Sequence, residues 1–307
     1  MMKLPSARQL QYFLAVADHL SFSKAAESCH VTQSTLSNGL NELEDMLGKK
    51  LFARDTRKVA LTPAGDELIV PARSILEQLT NLVHLSRRHR APLSSHLVLG
   101  IIPTIAPYLL PVLLPRQQQD YPDLDLQLRE DLSGRQLEYL EKGQVDAVLM
   151  AFPYDAPQTD QLILWSEPFY LACSEKFTGR KKSLKISDLQ QETILLLEDG
   201  HCLRDHVISA CSLSRKSGES SGGIGRNLGA TSLQTLIQMV QHGYGATLLP
   251  HMAINTTFLP KGIKAIPFSA PKPSRQIGLV WRKNDPRAEE FRLLGRFIKK
   301  ACSPLIS

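Results

Sequence analysis

Two of the five cysteines in this 307-residue chain, Cys202 and Cys211, stand nine residues apart in the stretch LLLEDGHCLRDHVISAC. A thiolate is the nucleophile toward a peroxide, and a helix N-terminus or a nearby cation favours it over the thiol. Glu198, Asp199 and Gly200 read as the start of a short helix, which places Cys202 in its first turn. His201 and Arg204 lie close in sequence as cations or donors, with Glu198, Asp199 and Asp205 working against them. Peroxide would convert such a thiol to a sulfenic acid, with which a second thiol can condense. Cys211 is the candidate second thiol, and the segment SLSRKSGESSGGIGRNLGA from Ser212 is rich in Ser and Gly and cheap to move. Disulfide geometry sets a condition: the Cα atoms must come within roughly 5–6 Å. Nine residues of intact α-helix hold them about 13–14 Å apart along the axis. Joining the sulfurs therefore requires the helix to unwind, which couples oxidation to a change of backbone state. The plain alternative, two inert thiols acting as small buried hydrophobes, fits the same spacing. A nucleophile–base pair of Cys202 with His201 or His206 lacks any accompanying oxyanion motif, so no catalytic residues are expected.

The elements around this stretch read as two kinds of structure. Leu10, Phe13, Leu14 and Ala17 recur at helical spacing, and Ser21, Ser23 and Thr32 are residues that cap helices. Thr32 opens QSTLSNGLNELEDMLG, with Leu36, Leu40, Leu43 and Leu47 on one face and Gly48 as its stop. KLFARDTRKVALT alternates as a two-stranded wing would. Three short helices and a wing predict a winged helix-turn-helix, with the helix from Gln33 entering the major groove. Gln33, Ser34, Thr35, Ser37 and Asn38 could reach base edges or phosphates, and Arg54, Arg57 and Lys58 of the wing could reach phosphate or a minor groove. A further helix follows, with Leu68, Ile75, Leu79, Leu82 and Val83 along one face and Pro71 as a point where it could kink or begin. From His96 onward, LVLGII, LDLQLR, AVLMA, ILLLE, ATLLP and IGLVWR alternate with helical stretches, an arrangement that predicts parallel α/β architecture. Thr104 falls at the end of the first of these strands.

Composition narrows the function. No apolar run approaches the ~18 residues of a membrane span, and the N-terminus lacks the order of a secretory signal, so the chain is expected in the cytoplasm. An odd number of dispersed cysteines there does not form a disulfide framework, and none shows zinc-site spacing, so no metal or cofactor is expected. Lys and Arg number 36 against 30 Asp and Glu, a formal charge of +6. That balance suits an anionic partner such as nucleic acid.

The segment FSKAAESCHVTQSTLSNGLNELEDMLGKKLFARDTRKVALTPAG resembles the DNA-binding domain of LysR-type transcriptional regulators, in which AA, QSTLS, LE, LG, LF.R and LT.AG recur at this spacing. The likeness continues through GIIPTIAPYLLP, SEPFYLA, LLLEDGHCLRDH with its second cysteine nine residues on, ATSLQTL, GATLLP and IGLVWR. It is similar to the peroxide-sensing OxyR branch of that family over essentially the whole chain. The resemblance implies α/β architecture overall: a winged helix-turn-helix over 1–62, a dimerising linker helix over 63–91, and an effector domain over 92–307. That domain would resemble a periplasmic binding protein, with subdomain I near 96–168 and 268–307 and subdomain II near 169–267. It further implies that Cys202 is the peroxidatic cysteine and Cys211 its resolving partner, that Thr104, Ser133 and His201 line the peroxide pocket, and that Arg275 supports the thiolate. Ser133 stands where the family usually has threonine, and Asn41 and Glu42 where the groove helix is commonly basic. DNA affinity would then lean on Lys24, Lys49, Lys50, Arg54, Arg57 and Lys58. Implied partners are promoter DNA, further copies of the chain as a dimer of dimers, and RNA polymerase. The rival expectation is a regulator of the same family governed by a small metabolite in its effector crevice.

Overall fold

The computed structural model describes residues 4–55, 58–86, 92–174, 182–191, 193–210, 230–254 and 259–306. The chain divides into two compact units, Met1–Arg90 and Ala91–Ser307.

In the first unit, helices α1 (Ala7–His19), α2 (Phe22–Ser28) and α3 (Gln33–Leu47) precede the antiparallel strands β1 (Phe52–Asp55) and β2 (Lys58–Leu61) and the helix α4 (Pro63–Ser86). Each start has a side chain that satisfies an orphan amide: Ser6 in a capping box with Gln9, Ser21 for the amide of Lys24, and Thr32 for that of Thr35. Ser23 is not a cap; it lies inside α2 and donates its hydroxyl to Gln33 Oε1 at 3.0 Å. Gly48 ends α3 with φ +63°, the left-handed turn that a glycine adopts without strain. Leu36, Leu40 and Leu43 close onto Phe13, Leu51 and Phe52, whereas Leu47, in the last turn, faces out. Helix α4 runs unbroken through Pro71. Its inner face, with Leu68, Ile69, Ala72 and Leu76, joins this core, while Val70, Ile75, Leu79 and Leu82 stay exposed.

Glu44 fastens the wing to α3. Fully buried, it accepts the amides of Leu51 at 2.9 Å and Phe52 at 3.4 Å and pairs with Lys50 at 2.7 Å. Burial alone would raise its carboxyl, but Lys50 and the two amides outweigh that and hold the pKa below its ordinary value. A depressed carboxylate contributes stability above its unfolded value, about 4.3, and loses it as pH falls through the folded value. Glu44→Gln is therefore expected to cost about 1–3 kcal/mol at neutral pH and to differ less from the parent near pH 3. Urea unfolding at the two pH values measures this, and an equal deficit at both contradicts it.

In the second unit the chain runs β3 (His96–Ile101), α5 (Ala106–Asp120), β4 (Asp125–Glu130), α6 (Ser133–Glu141), β5 (Ala147–Phe152) and β6 (Thr159–Ser174). It continues with α7 (Cys202–Ala210), α8 (Leu233–Gln241), β7 (Thr247–Pro250), α9 (His251–Ile254), β8 (Ile263–Pro267), β9 (Ser274–Arg282), α10 (Ala288–Ala301) and α11 (Ser303–Ile306). The strand order is β4-β3-β5-β9-β6-β7, with β8 also on β6. The expected parallel pairing holds for β3 with β4 and β5; β9 lies antiparallel to β5 and β6, and β7 and β8 antiparallel to β6, so the sheet is mixed. The reason is connectivity: β6 leads out of the first layer and β9 returns to it, each reversing direction. Strand β6 pairs with β9 over Thr159–Pro168 and with β7 and β8 over Phe169–Ser174, so one 16-residue strand serves two layers. The apolar run ILLLE is not a regular strand; it makes single parallel bridges, Ile194 to Ala246 and Leu197 to Ala230.

Candidate functional site

The starts of three helices line one recess. Ile102, Pro103 and Thr104 lead from β3 into α5; Leu132 and Ser133 open α6; His201 and Cys202 open α7. The side chains close on one another there and leave no room for a water-sized sphere, and helix N-termini favour negative charge through their free amides and aligned dipoles. Local sequence builds each wall. Gln136, fully buried on α6, donates to the carbonyls of Ile101 at 3.2 Å and Arg129 at 2.7 Å and so fixes α6 to the ends of β3 and β4. Gly100 is bare because a Cβ there would strike Gln136. Gly200 turns the chain into α7 with φ +97°, and a Cβ on it would stand 3.2 Å from Leu132.

Cys202 is the first residue of α7 and is buried. Burial pushes its thiol above the ordinary value; the Ser133 hydroxyl, the Arg275 guanidinium and the Leu203 amide pull the other way, and Asp205 adds to the rise. The expectation from sequence, a thiol lowered by its helix start, is thus reversed because desolvation exceeds the local dipole. Ser133 Oγ has no nitrogen or oxygen partner among the described residues and faces the sulfur. The cation that bears on the sulfur comes from β9, not from the neighbours in sequence. Arg204 is taken up by Asp199 at 2.9 Å and by the Leu197 carbonyl at 3.1 Å.

Arg275 is held from two sides. Its Nε donates to Glu167 Oε2 at 2.8 Å, its Nη1 to Thr104 Oγ1 at 2.9 Å and its Nη2 to the Thr104 carbonyl at 3.2 Å. The site therefore brings together Thr104, Ser133, His201, Cys202 and Arg275. Glu167 is the member that sequence reasoning missed; it and Arg275 are 108 residues apart and meet as cross-strand neighbours on β6 and β9.

Two histidines flank the sulfur's helix. Burial lowers His201 below its ordinary value, against the Thr231 carbonyl and Glu198, which raise it. It also lines an outer groove with Pro103, Glu130, Asp131, Glu198 and Asp199. His206, one turn beyond Cys202, bonds the Pro153 carbonyl through Nε2 at 2.7 Å, and burial lowers it as well, opposed by that carbonyl, with Arg275 adding to the fall. A histidine depressed in the folded state binds protons better when unfolded, so it stabilises at and above pH ~6.5 and that contribution is lost as pH falls. The melting midpoint is expected to drop between pH 7.5 and 5.5, and to drop less in His206→Gln, which keeps a donor for Pro153. Parallel drops in the two proteins contradict this.

Of the DNA-reading residues, Gln33, Ser34, Thr35 and Asn38 are exposed at the start of α3 and Ser37 is half-buried. Thr35 bonds the Thr32 hydroxyl at 2.8 Å and lines a cleft with Arg8, Tyr12, Asp18, Cys29 and Arg73. Lys50 is paired with Glu44. Cys211 and Arg57 lie outside the described residues, as do the side chains of Arg54 and Lys58. Among the described residues no cluster could hold a metal ion, and no helix is long and apolar enough to cross a membrane.

Residues 7–66 match the bacterial regulatory helix-turn-helix protein model of the lysR family, and residues 90–303 match the LysR substrate binding domain. The chain is 38% identical over 309 residues to the HTH-type transcriptional regulator EstR of Acinetobacter baylyi, covering 99% of this chain and 100% of that protein. It is 36% identical over 293 residues to the DNA-binding transcriptional dual regulator OxyR of Escherichia coli, covering 95% and 94%. Among solved structures, full-length OxyR from Pseudomonas aeruginosa, a cysteine-to-aspartate variant, superposes with a TM-score of 0.80 at 32% identity over 97% of this chain and 95% of that one. A hydrogen peroxide-bound cysteine-to-serine variant of Corynebacterium glutamicum OxyR gives 0.67 at 34% identity over 100% and 95%. On these matches the chain belongs to the LysR family of bacterial transcriptional regulators, DNA-binding proteins rather than enzymes, and to its OxyR branch.

Proposed function

We propose that the chain senses hydrogen peroxide at Cys202 and answers by changing its hold on promoter DNA. The observation that carries this reading is the setting of Cys202: buried at the first position of α7, with Ser133 and Arg275 bearing on its sulfur and Thr104 and His201 beside it. The peroxide-bound neighbour supports it further.

The recess is closed to a water-sized sphere, so peroxide enters only as the side chains around the sulfur give way. With peroxide seated against Thr104, Ser133 and His201, the sulfur attacks one oxygen and the O–O bond breaks. The thiol proton leaves with the departing oxygen as water, so the sulfur is oxidised to a sulfenic acid while peroxide is reduced. Arg275, the Ser133 hydroxyl and the Leu203 amide lower the cost of charge on the sulfur during attack. Cys211 then displaces the sulfenic oxygen as a second water and closes an intramolecular disulfide. Because α7 spans Cys202–Ala210, closure melts it.

The remaining parts follow the same reading. The exposed face of α4, Val70, Ile75, Leu79 and Leu82, joins two copies within a linker over 63–91, and dimers pair into tetramers. A two-fold DNA site then has half-sites about one helical turn, or a multiple, apart. The oxidised regulator recruits RNA polymerase in the cytoplasm. The match of residues 90–303 to the LysR substrate binding domain supports a second reading, induction by a metabolite in the effector crevice, under which the thiols play no part. Peptide mass mapping before and after one equivalent of peroxide separates the two: a selective Cys202–Cys211 bridge is expected, and intact or indiscriminately oxidised thiols overturn the proposal.

A further inference from the structure

Glu167 has no part in the peroxide chemistry above, yet its carboxylate is buried at the point where β6 leaves β9 for β7 and β8. Its Oε1 accepts the Met252 amide of α9 at 2.8 Å and its Oε2 accepts Arg275 Nε at 2.8 Å. The side chains of Arg275 and Glu167 are 0% and 1% exposed. Neutral acceptors could hold a guanidinium here, as both oxygens of Thr104 already do. A buried carboxylate adds a desolvation cost that positioning alone does not require.

What the carboxylate adds is charge. Besides the Ser133 hydroxyl and the Leu203 amide, the charged and titratable groups that bear on the Cys202 sulfur are Arg275 from β9, Asp205 from its own helix, and Tyr154 beyond β5. His206, on α7, feels Arg275 and Asp205, and Tyr108 of α5 feels Arg275 and Glu167. Paired with Glu167 through its Nε, Arg275 presents the sulfur with one end of an ion pair rather than a bare cation.

Building on the peroxide reading, we propose that Glu167 is a positioning residue for Cys202: acting through Arg275, it clamps the guanidinium against Thr104 and offsets part of its charge, which restrains ionisation of the sulfur. Removing the carboxylate leaves a less balanced cation beside the sulfur, in a medium where charges several ångströms apart still interact by about one pK unit or more.

The test is iodoacetamide labelling of Cys202 in the full chain across pH, resolved by peptide mass spectrometry. It uses no peroxide, so a chain that never forms the disulfide still gives an answer. In Glu167→Gln the labelling midpoint is expected to fall by about one pH unit, or about tenfold faster labelling below it, while Glu167→Asp stays near the parent. In an Arg275→Met background Glu167→Gln is expected to add no shift, because a buried carboxylate stripped of its cation takes up a proton. A folded Glu167→Gln chain whose midpoint is unchanged or raised overturns the proposal, as does a further shift in the Arg275→Met background. If Glu167→Gln does not fold, Glu167→Met, neutral and of similar volume, takes its place: a midpoint lowered by about one pH unit supports the role, and one unchanged or raised overturns it.

Discussion

Cys202→Ser is expected to abolish the peroxide response outright: no bridge to Cys211, no sulfenic acid at this position, and the same DNA footprint with and without peroxide. The hydroxyl preserves the size and polarity at the start of α7, so the reduced fold and basal DNA binding should persist. The buried site makes the effect large. The other described cysteines are Cys29, Cys173 and Cys302, and burial pushes the Cys302 thiol up to about 12, well out of reach of thiolate chemistry at neutral pH. None of them can replace a thiol placed among Ser133, Arg275 and the α7 amides. Footprinting of parent and variant at one equivalent of peroxide measures this. A Cys202→Ser chain that still shifts its footprint contradicts the thiol reading and returns the crevice metabolite to first place.

Arg275→Met should act on stability and on rate together. It strands Glu167 in a dry interior and frees both oxygens of Thr104; breaking one side of a buried ion pair costs about 3–5 kcal/mol. It also removes a cation that favours charge on the Cys202 sulfur, so peroxide oxidation of that thiol is expected to slow about tenfold or more, since each pK unit is about 1.36 kcal/mol. Urea unfolding gives the first quantity and stopped-flow oxidation the second. A variant with lowered stability and an unchanged rate contradicts the role of Arg275 at the sulfur.

Much of the first unit was legible because its signals are local. Thr32 before a leucine-spaced run and Gly48 after it mark α3 within a single stretch of sequence, and the structure places both as expected. Gly200 likewise fixes the start of α7. Ser23 misled because a hydroxyl near a helix start has the same appearance whether it caps or decorates. Glu44 was missed because its partners, the amides of Leu51 and Phe52, carry no side-chain signature.

The second unit hid what depends on distant pairing. Apolar strands that alternate with helices have the same period whether their neighbours are parallel or reversed, so the antiparallel entry of β9 between β5 and β6 left no local trace. The run ILLLE has strand composition yet bridges different partners near its two ends. The direction of the Cys202 shift was unreadable for a similar reason. Sequence shows the helix start, but burial, the largest influence, is supplied by walls drawn from the turn between β3 and α5 and from the start of α6.

The central claim, that bridging the thiols dismantles α7, is tested most directly by amide hydrogen exchange over residues 203–210 in the reduced chain and in the chain oxidised by one equivalent of peroxide. Protection in the reduced state and its loss on oxidation, in step with appearance of the Cys202–Cys211 bridge, is the expected result. A bridged chain that keeps full protection across α7 contradicts the claim.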